Sequence, residues 1–179
     1  MKAIKTKLAD CYILEPTVYS DNRGYFYESF NNQLFESITG LDVKFVQDNQ
    51  SFSKIGTLRG LHFQKGEHAQ AKLVRVLKGT VIDVAVDLRI KSATYGQYVV
   101  VELSAENKKQ LFVPRGFAHG FVVLSAEAEF FYKCDNYYNK SSEGGILYND
   151  STLNIDWRIP ESELIISEKD LELPLFLDL

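Results

Sequence analysis

Apolar and polar residues alternate with a period of two through most of the chain beyond residue 40, and helical spacing is confined to one short stretch. Residues 31–39 form that stretch. Leu34, Phe35 and Ile38 make an apolar stripe, Asn31 or Asn32 supplies an N-cap, and Gly40 follows as a stop. In Thr80–Leu88 the even positions are mostly branched or apolar and the odd ones include Asp83 and Asp87, which predicts a half-buried strand. Lys78-Gly79 marks a turn before it. Tyr98–Leu103 and Gln110–Val113 flank a polar stretch and predict a hairpin, and Phe121–Leu124 with Glu129–Lys133 predict a second. From Leu153 the pattern is less regular, broken by Pro160 and Pro174, and predicts a segment that wraps the outside. Short strands at this spacing, with few short helices, predict a mainly β fold: an antiparallel sandwich or jelly roll. No repeat, low-complexity run or linker divides the chain, so residues 1–179 are expected to form one domain.

Composition narrows the function classes. A chain of 179 residues buries about 70% of its unfolded surface. Aromatics at 13%, with ten Tyr and twelve Phe, favour β-structure over a helical bundle. The net charge is −4 and basic runs stop at two residues, which argues against sequence-independent nucleic-acid binding. The basic start, Met1–Lys7, lacks a following apolar region, and no stretch approaches a membrane span. Cys11 and Cys134 match no metal or redox spacing. Two buried free thiols in a cytoplasmic protein are the expectation.

The candidate chemistry centres on scarce histidines. His62 lies three residues after Arg59, and His119 follows Pro114-Arg115-Gly116-Phe117-Ala118. Imidazole is a ready proton carrier near neutrality, and the nearby arginine suggests an anionic substrate. A core histidine bonded to a carbonyl is the bland alternative. Pro114-x-Gly116-x-x-His119 matches half of the cupin metal motif, but the other half requires His-x-His and this chain has His62-Phe63-Gln64. Gln64 is a poor transition-metal ligand, so no metal and no cofactor are expected, and side chains must do the chemistry.

Strand patterning adds detail. Tyr132 shares a face with Phe130 and Cys134, which fits an inward cavity donor or a structural tyrosine. Lys72 shares a face with Val74 and Val76. Strict alternation sends Arg59 and His62 to opposite faces unless Gly60 introduces a bulge, which is the expectation. Asp170, within Ser167-Glu168-Lys169-Asp170, reads in isolation as a helix-cap acid.

Several runs together resemble the dTDP-4-dehydrorhamnose 3,5-epimerase family. They include Asp21–Phe26, Gln47–Ser51, Thr57–Gln64, Lys72–Val76, Gly79–Arg89, Leu103–Lys108, Pro114–Val123, Ala128–Lys133, Tyr137-Tyr138 and Ser167–Asp170. Their order and spacing, from about residue 15 to residue 175, carry the likeness. Gln50, Ala71 and Ser151 depart from it, at positions where histidine, glycine and proline are usual.

The resemblance implies a metal-free, cupin-type double-stranded β-helix, a homodimer, and a dTDP-linked 4-keto-6-deoxyhexose as small-molecule substrate. It implies His62 as base, Asp170 as its carboxylate partner, Tyr132 as acid and Lys72 as enolate stabiliser, with His119 a polar wall group near the sugar. It also implies Arg59 and Arg23 at the diphosphate and Tyr138 and Phe26 at the thymine. Glu28, Gln47 and Asn49 would be further polar contacts, and the strand carrying Arg23 and Glu28 would reach the partner subunit's site. The alternatives are an epimerase that inverts one carbon only, a metal-dependent oxygenase, and a sugar-nucleotide-binding barrel without activity.

Overall fold

The computed structural model describes residues 1–179. The chain runs through β1 (Lys2–Lys5), β2 (Tyr12–Glu15), β3 (Tyr19–Asp21), β4 (Gly24–Phe26), α1 (Asn32–Thr39), β5 (Gln47–Lys54) and β6 (Leu58–Gln64). It continues through β7 (Lys72–Lys78), β8 (Thr80–Asp87), β9 (Tyr98–Ser104), β10 (Gln110–Val113), β11 (Phe117–Val123), β12 (Glu127–Cys134), β13 (Glu143–Gly145) and α2 (Glu168–Leu171). A six-stranded sheet, ordered β1-β2-β10-β7-β12-β5, faces a five-stranded sheet, ordered β13-β6-β11-β8-β9. All these pairings are antiparallel, and the result is a jelly roll of the double-stranded β-helix type. β3 and β4 form a separate hairpin. No helix is long and apolar enough to cross a membrane.

Helix α1 forms where the spacing predicts it. The Asn31 side chain accepts from the Leu34 amide, and Gly40, at φ 75°, closes the helix by donating to the Glu36 carbonyl. Its buried Phe35 packs edge-on against Phe112 of β10, with ring centroids 5.1 Å apart, on the outer side of the six-stranded sheet.

Both predicted hairpins are corrected. β9 pairs with β8 in the five-stranded sheet, whereas β10 pairs with β2 and β7 in the six-stranded one. β11 and β12 likewise lie in opposite sheets. Alternation specifies a strand and its buried face, but not which edge it joins. β8 is also more buried than predicted, with seven of its eight residues fully buried. Val81 and Ala85 face the space between the sheets, while Ile82, Val84 and Val86 pack under Tyr148, Leu153, Trp157 and Phe176. The irregular C-terminal segment therefore covers the outer face of the five-stranded sheet and makes β8 a central, two-sided strand.

That segment also reaches the mouth of the jelly roll. Ile165 exchanges backbone hydrogen bonds with Gly56 and Leu58 at the start of β6, which fixes α2 beside that strand. The Ser167 hydroxyl caps α2 by accepting from the Asp170 amide.

Candidate active site

A cavity of about 840 Å³ opens between the two sheets, walled by β5, β6, β7, β11, β12 and the segment leading into α2. Among the predicted site residues, His62, Lys72, Tyr132, Asp170, Asn49, Arg59 and His119 line it. A smaller cavity of about 520 Å³, lined by Asp10, Asp42, Arg115 and Asp135 among others, contains no histidine and none of the predicted residues.

Arg59 and His62 share the cavity because β6 carries one extra residue. In the β6–β11 pairing, His62 sits opposite His119 and Arg59 opposite Phe121, so three steps on β6 match two on β11. The expected bulge is present. Gly60 adopts φ 124°, and a Cβ there would meet the Gly120 Cα at 2.6 Å, so only glycine fits this close approach.

The His62 Nε2 lies 2.7 Å from Asp170 Oδ1. Asp170 is 4% exposed, and its other oxygen accepts from the Gly60 amide at 3.3 Å. Burial pushes the Asp170 carboxyl up, but the His62 hydrogen bond and charge, with the Gly60 and Ser167 contacts, outweigh it and hold the carboxyl below its ordinary value. An ionised Asp170 accepts from Nε2–H and leaves the ring's lone pair on Nδ1, the nitrogen free to take a proton.

Tyr132 enters from the opposite wall. It lies on β12 of the six-stranded sheet, on the same inward face as Phe130 and Cys134. Burial, chiefly, raises its phenol above the ordinary value; the neighbouring Cys134 adds to this and Arg59 opposes it. Lys72, on the adjacent β7, has its ammonium 5.9 Å from the centre of the Tyr132 ring. Burial draws the Lys72 ammonium below the ordinary lysine range, only partly offset by Cys134, Asp83 and Glu143.

Sequence reasoning missed Asp83. Both its oxygens lie 3.0 Å from His119 Nε2, and both residues are buried. The available signal was a carboxylate inside an apolar strand, which needs a partner when it is buried. Ser51 and Ser53 were missed too. On β5 the inward positions Asn49, Ser51 and Ser53 are polar, while the outward ones include Phe52. Polar residues on the covered face of an edge strand mark a cavity wall.

Five predicted contacts do not line this cavity. Arg23, Phe26 and Glu28 are exposed on or just after the β3–β4 hairpin, where Arg23 pairs with its neighbour Asp21. Gln47 and Tyr138 are held beside the mouth. The Tyr138 amide donates to Gln47 Oε1, and its hydroxyl donates to Glu143, which pairs at 2.7 Å with Lys169 on the cavity wall.

A match to the dTDP-4-dehydrorhamnose 3,5-epimerase family model spans residues 5–178. The chain belongs to this family. It is 57% identical over 178 residues to the dTDP-4-dehydrorhamnose 3,5-epimerase of Salmonella typhimurium, covering 98% of this chain and 95% of the relative. The crystal structure of the Elizabethkingia anophelis epimerase superposes with a TM-score of 0.97 at 64% identity, over 99% of this chain and 97% of that one. The Legionella pneumophila 3,5-epimerase, solved with dTDP-4-keto-L-rhamnose, has a TM-score of 0.93 at 50% identity, over 97% and 92% of the two chains. The epimerase fold in this chain therefore brings seven of the predicted site residues to one cavity and leaves five outside its wall.

Proposed function

We propose that the chain inverts carbons 3 and 5 of dTDP-4-dehydro-6-deoxy-D-glucose to give dTDP-4-dehydro-L-rhamnose, using side chains alone. Both carbons are α to the 4-keto group, so each inversion needs a base on one face, a stabilised enolate and an acid on the other face. The observation that carries this reading is the opposition of His62 and Tyr132. The base candidate stands on the five-stranded sheet and the acid candidate on the six-stranded sheet, with the cavity between them.

In this reading His62 Nδ1 removes the α-proton while Asp170 holds the ring in its reactive tautomer and stabilises the imidazolium. The Lys72 ammonium, on the cavity wall beside the Tyr132 ring, stabilises the oxyanion at carbon 4. One such preorganised donor is worth about 3–4 kcal/mol. Tyr132 returns a proton from the opposite wall, and its raised pKa keeps that proton on the hydroxyl at neutral pH. His119, oriented by Asp83, is a polar wall group near the sugar. Arg59 grips the diphosphate, with Asn49 beside it. Metal-independent chemistry is supported by the donor set: no three His, Cys, Asp or Glu side chains cluster as a ligand set, and the motif position beside His62 is Gln64, whose Oε1 accepts from the Asn139 amide.

A homodimer completes the nucleotide site in this reading. Arg23, Phe26 and Glu28 belong to an exposed hairpin beyond their own cavity wall, which suits a contribution to the partner's site, while Gln47 and Tyr138 flank the mouth for the thymine. Buried, unpaired Cys11 and Cys134 fit a reducing cytoplasm. Incubation with dTDP-4-keto-6-deoxyglucose in deuterated water tests the reaction. Deuterium at carbons 3 and 5 is expected; label at one carbon would indicate single inversion, and no label would indicate binding alone.

A further inference from the structure

Arg59 is an exposed side chain at the cavity rim, yet it is tethered from below. Its Nε donates at 3.1 Å to the hydroxyl of Ser53, which is 5% exposed, and its Nη2 lies 3.5 Å from the Phe52 carbonyl. Ser53 is the most deeply buried member of the inward polar row on β5 and is held in register opposite Ala128 of β12. The serine is therefore anchored in one sheet while the arginine it holds springs from the other.

A guanidinium presents two useful edges to an anion, one bounded by Nε and Nη2 and the other by Nη1 and Nη2. With Nε on Ser53, the Nη1–Nη2 edge is the one left to meet a ligand. A free arginine also loses rotamer freedom when it closes on a phosphate, and a tether applied beforehand lowers that loss. We propose that Ser53 is a positioning residue for nucleotide binding: its hydroxyl holds Arg59 so that the Nη1–Nη2 edge faces the diphosphate. This rests on the reading of Arg59 as a diphosphate ligand and assigns Ser53 no contact with the reacting carbons.

The test is a double-mutant cycle read by calorimetric titration of dTDP, with KM and kcat measured alongside. Ser53→Ala is expected to weaken dTDP about tenfold, the scale of one charge-assisted hydrogen bond, and to raise KM while leaving kcat at saturation in place. In the Arg59→Ala background the same change is expected to have no further effect. Ser53→Thr, which keeps the hydroxyl, restores affinity. Ser53→Cys keeps the size but offers a poor acceptor, so it reproduces the loss and serves if Ser53→Ala folds badly. Equal losses from Ser53→Ala in both backgrounds would overturn the proposal, because Ser53 would then act without Arg59. So would parent-like affinity in both Ser53→Ala and Ser53→Cys while Arg59→Ala alone is weakened. Undiminished dTDP binding by Arg59→Ala would instead remove the diphosphate reading, and the role of Ser53 with it.

Discussion

His62 and His119 face each other across the β6–β11 pairing, yet each gives its Nε2 to a different buried carboxylate. Asp170 reaches His62 from 108 residues away, on a short helix laid over the cavity mouth, whereas Asp83 reaches His119 from the neighbouring strand β8. The two environments differ in access. The His62 side chain is 31% exposed and that of His119 only 8%, so His62 is the imidazole open to the cavity. This difference in access favours His62 over His119 for the proposed role of base.

Removing the base and removing the acid should have different signatures. His62→Ala is expected to abolish deuterium exchange at both carbons. Tyr132→Phe keeps the ring packed against Phe130 but deletes the hydroxyl, so it should still wash label into the sugar while epimerising poorly. Asp170→Asn should fall between them. General acid–base groups contribute about 10²–10⁴-fold each, so all three defects are large in a coupled turnover assay. Parent-like epimerisation by folded His62→Ala would refute the mechanism, and joint loss of exchange and epimerisation in Tyr132→Phe would withdraw the acid assignment.

The alkaline side of the pH–kcat/KM profile, which reports groups of the free enzyme, should report Lys72. As a cation at the oxyanion it works only while protonated, so kcat/KM falls as pH rises through its pKa. Burial lowers that pKa, placing the limb below the ordinary lysine value of about 10.4. Tyr132 is shifted the other way and keeps its proton to higher pH. Lys72→Arg, permanently charged, should move the limb upward even if its rate is lower. A limb that stays in place in Lys72→Arg would assign it to another group.

Arg23 should act in trans. Arg23→Ala is expected to raise KM with little change in kcat, because a diphosphate contact made equally in ground and transition states alters affinity. Mixing refolded Arg23→Ala and His62→Ala subunits should then regenerate low-KM activity, since one cavity of each mixed dimer would hold an intact His62 and receive an intact Arg23. Mixtures no better than the separate variants would place Arg23 outside the partner's site.

Acid stability should depend on Asp87. Its buried carboxylate accepts from the Arg89 guanidinium at 2.9 Å, Ser92 at 2.6 Å and Thr94 at 2.7 Å. Burial pushes its pKa up, but these donors outweigh it and bring the value down to about 2. Because the folded-state pKa is depressed, the stabilisation is present above the unfolded value near 3.9 and is lost as pH falls towards about 2; it amounts to roughly 2 kcal/mol. Urea unfolding of the parent and Asp87→Asn should differ most near neutrality and converge between those limits. A gap independent of pH would assign the loss to packing instead.

Helix α1, most strand positions, the inward face of Tyr132 and the bulge at Gly60 were legible in the sequence because each depends on neighbours within a few residues. Capping, period-two alternation and the conformational freedom of glycine are local properties. Strand partners were not legible: β9 and β10, like β11 and β12, are adjacent in sequence but lie in opposite sheets, since sheet membership depends on which distant edge offers unpaired hydrogen bonds. The burial of β8 awaited the C-terminal segment that covers it. Asp170 read locally as a capping acid, and only the resemblance to relatives made it a partner for His62. Its carboxylate meets His62 when the Ile165 pairing carries α2 to the start of β6, a meeting of segments more than a hundred residues apart. Local chemistry chose the parts of this site, and chain closure in three dimensions decided which of them touch.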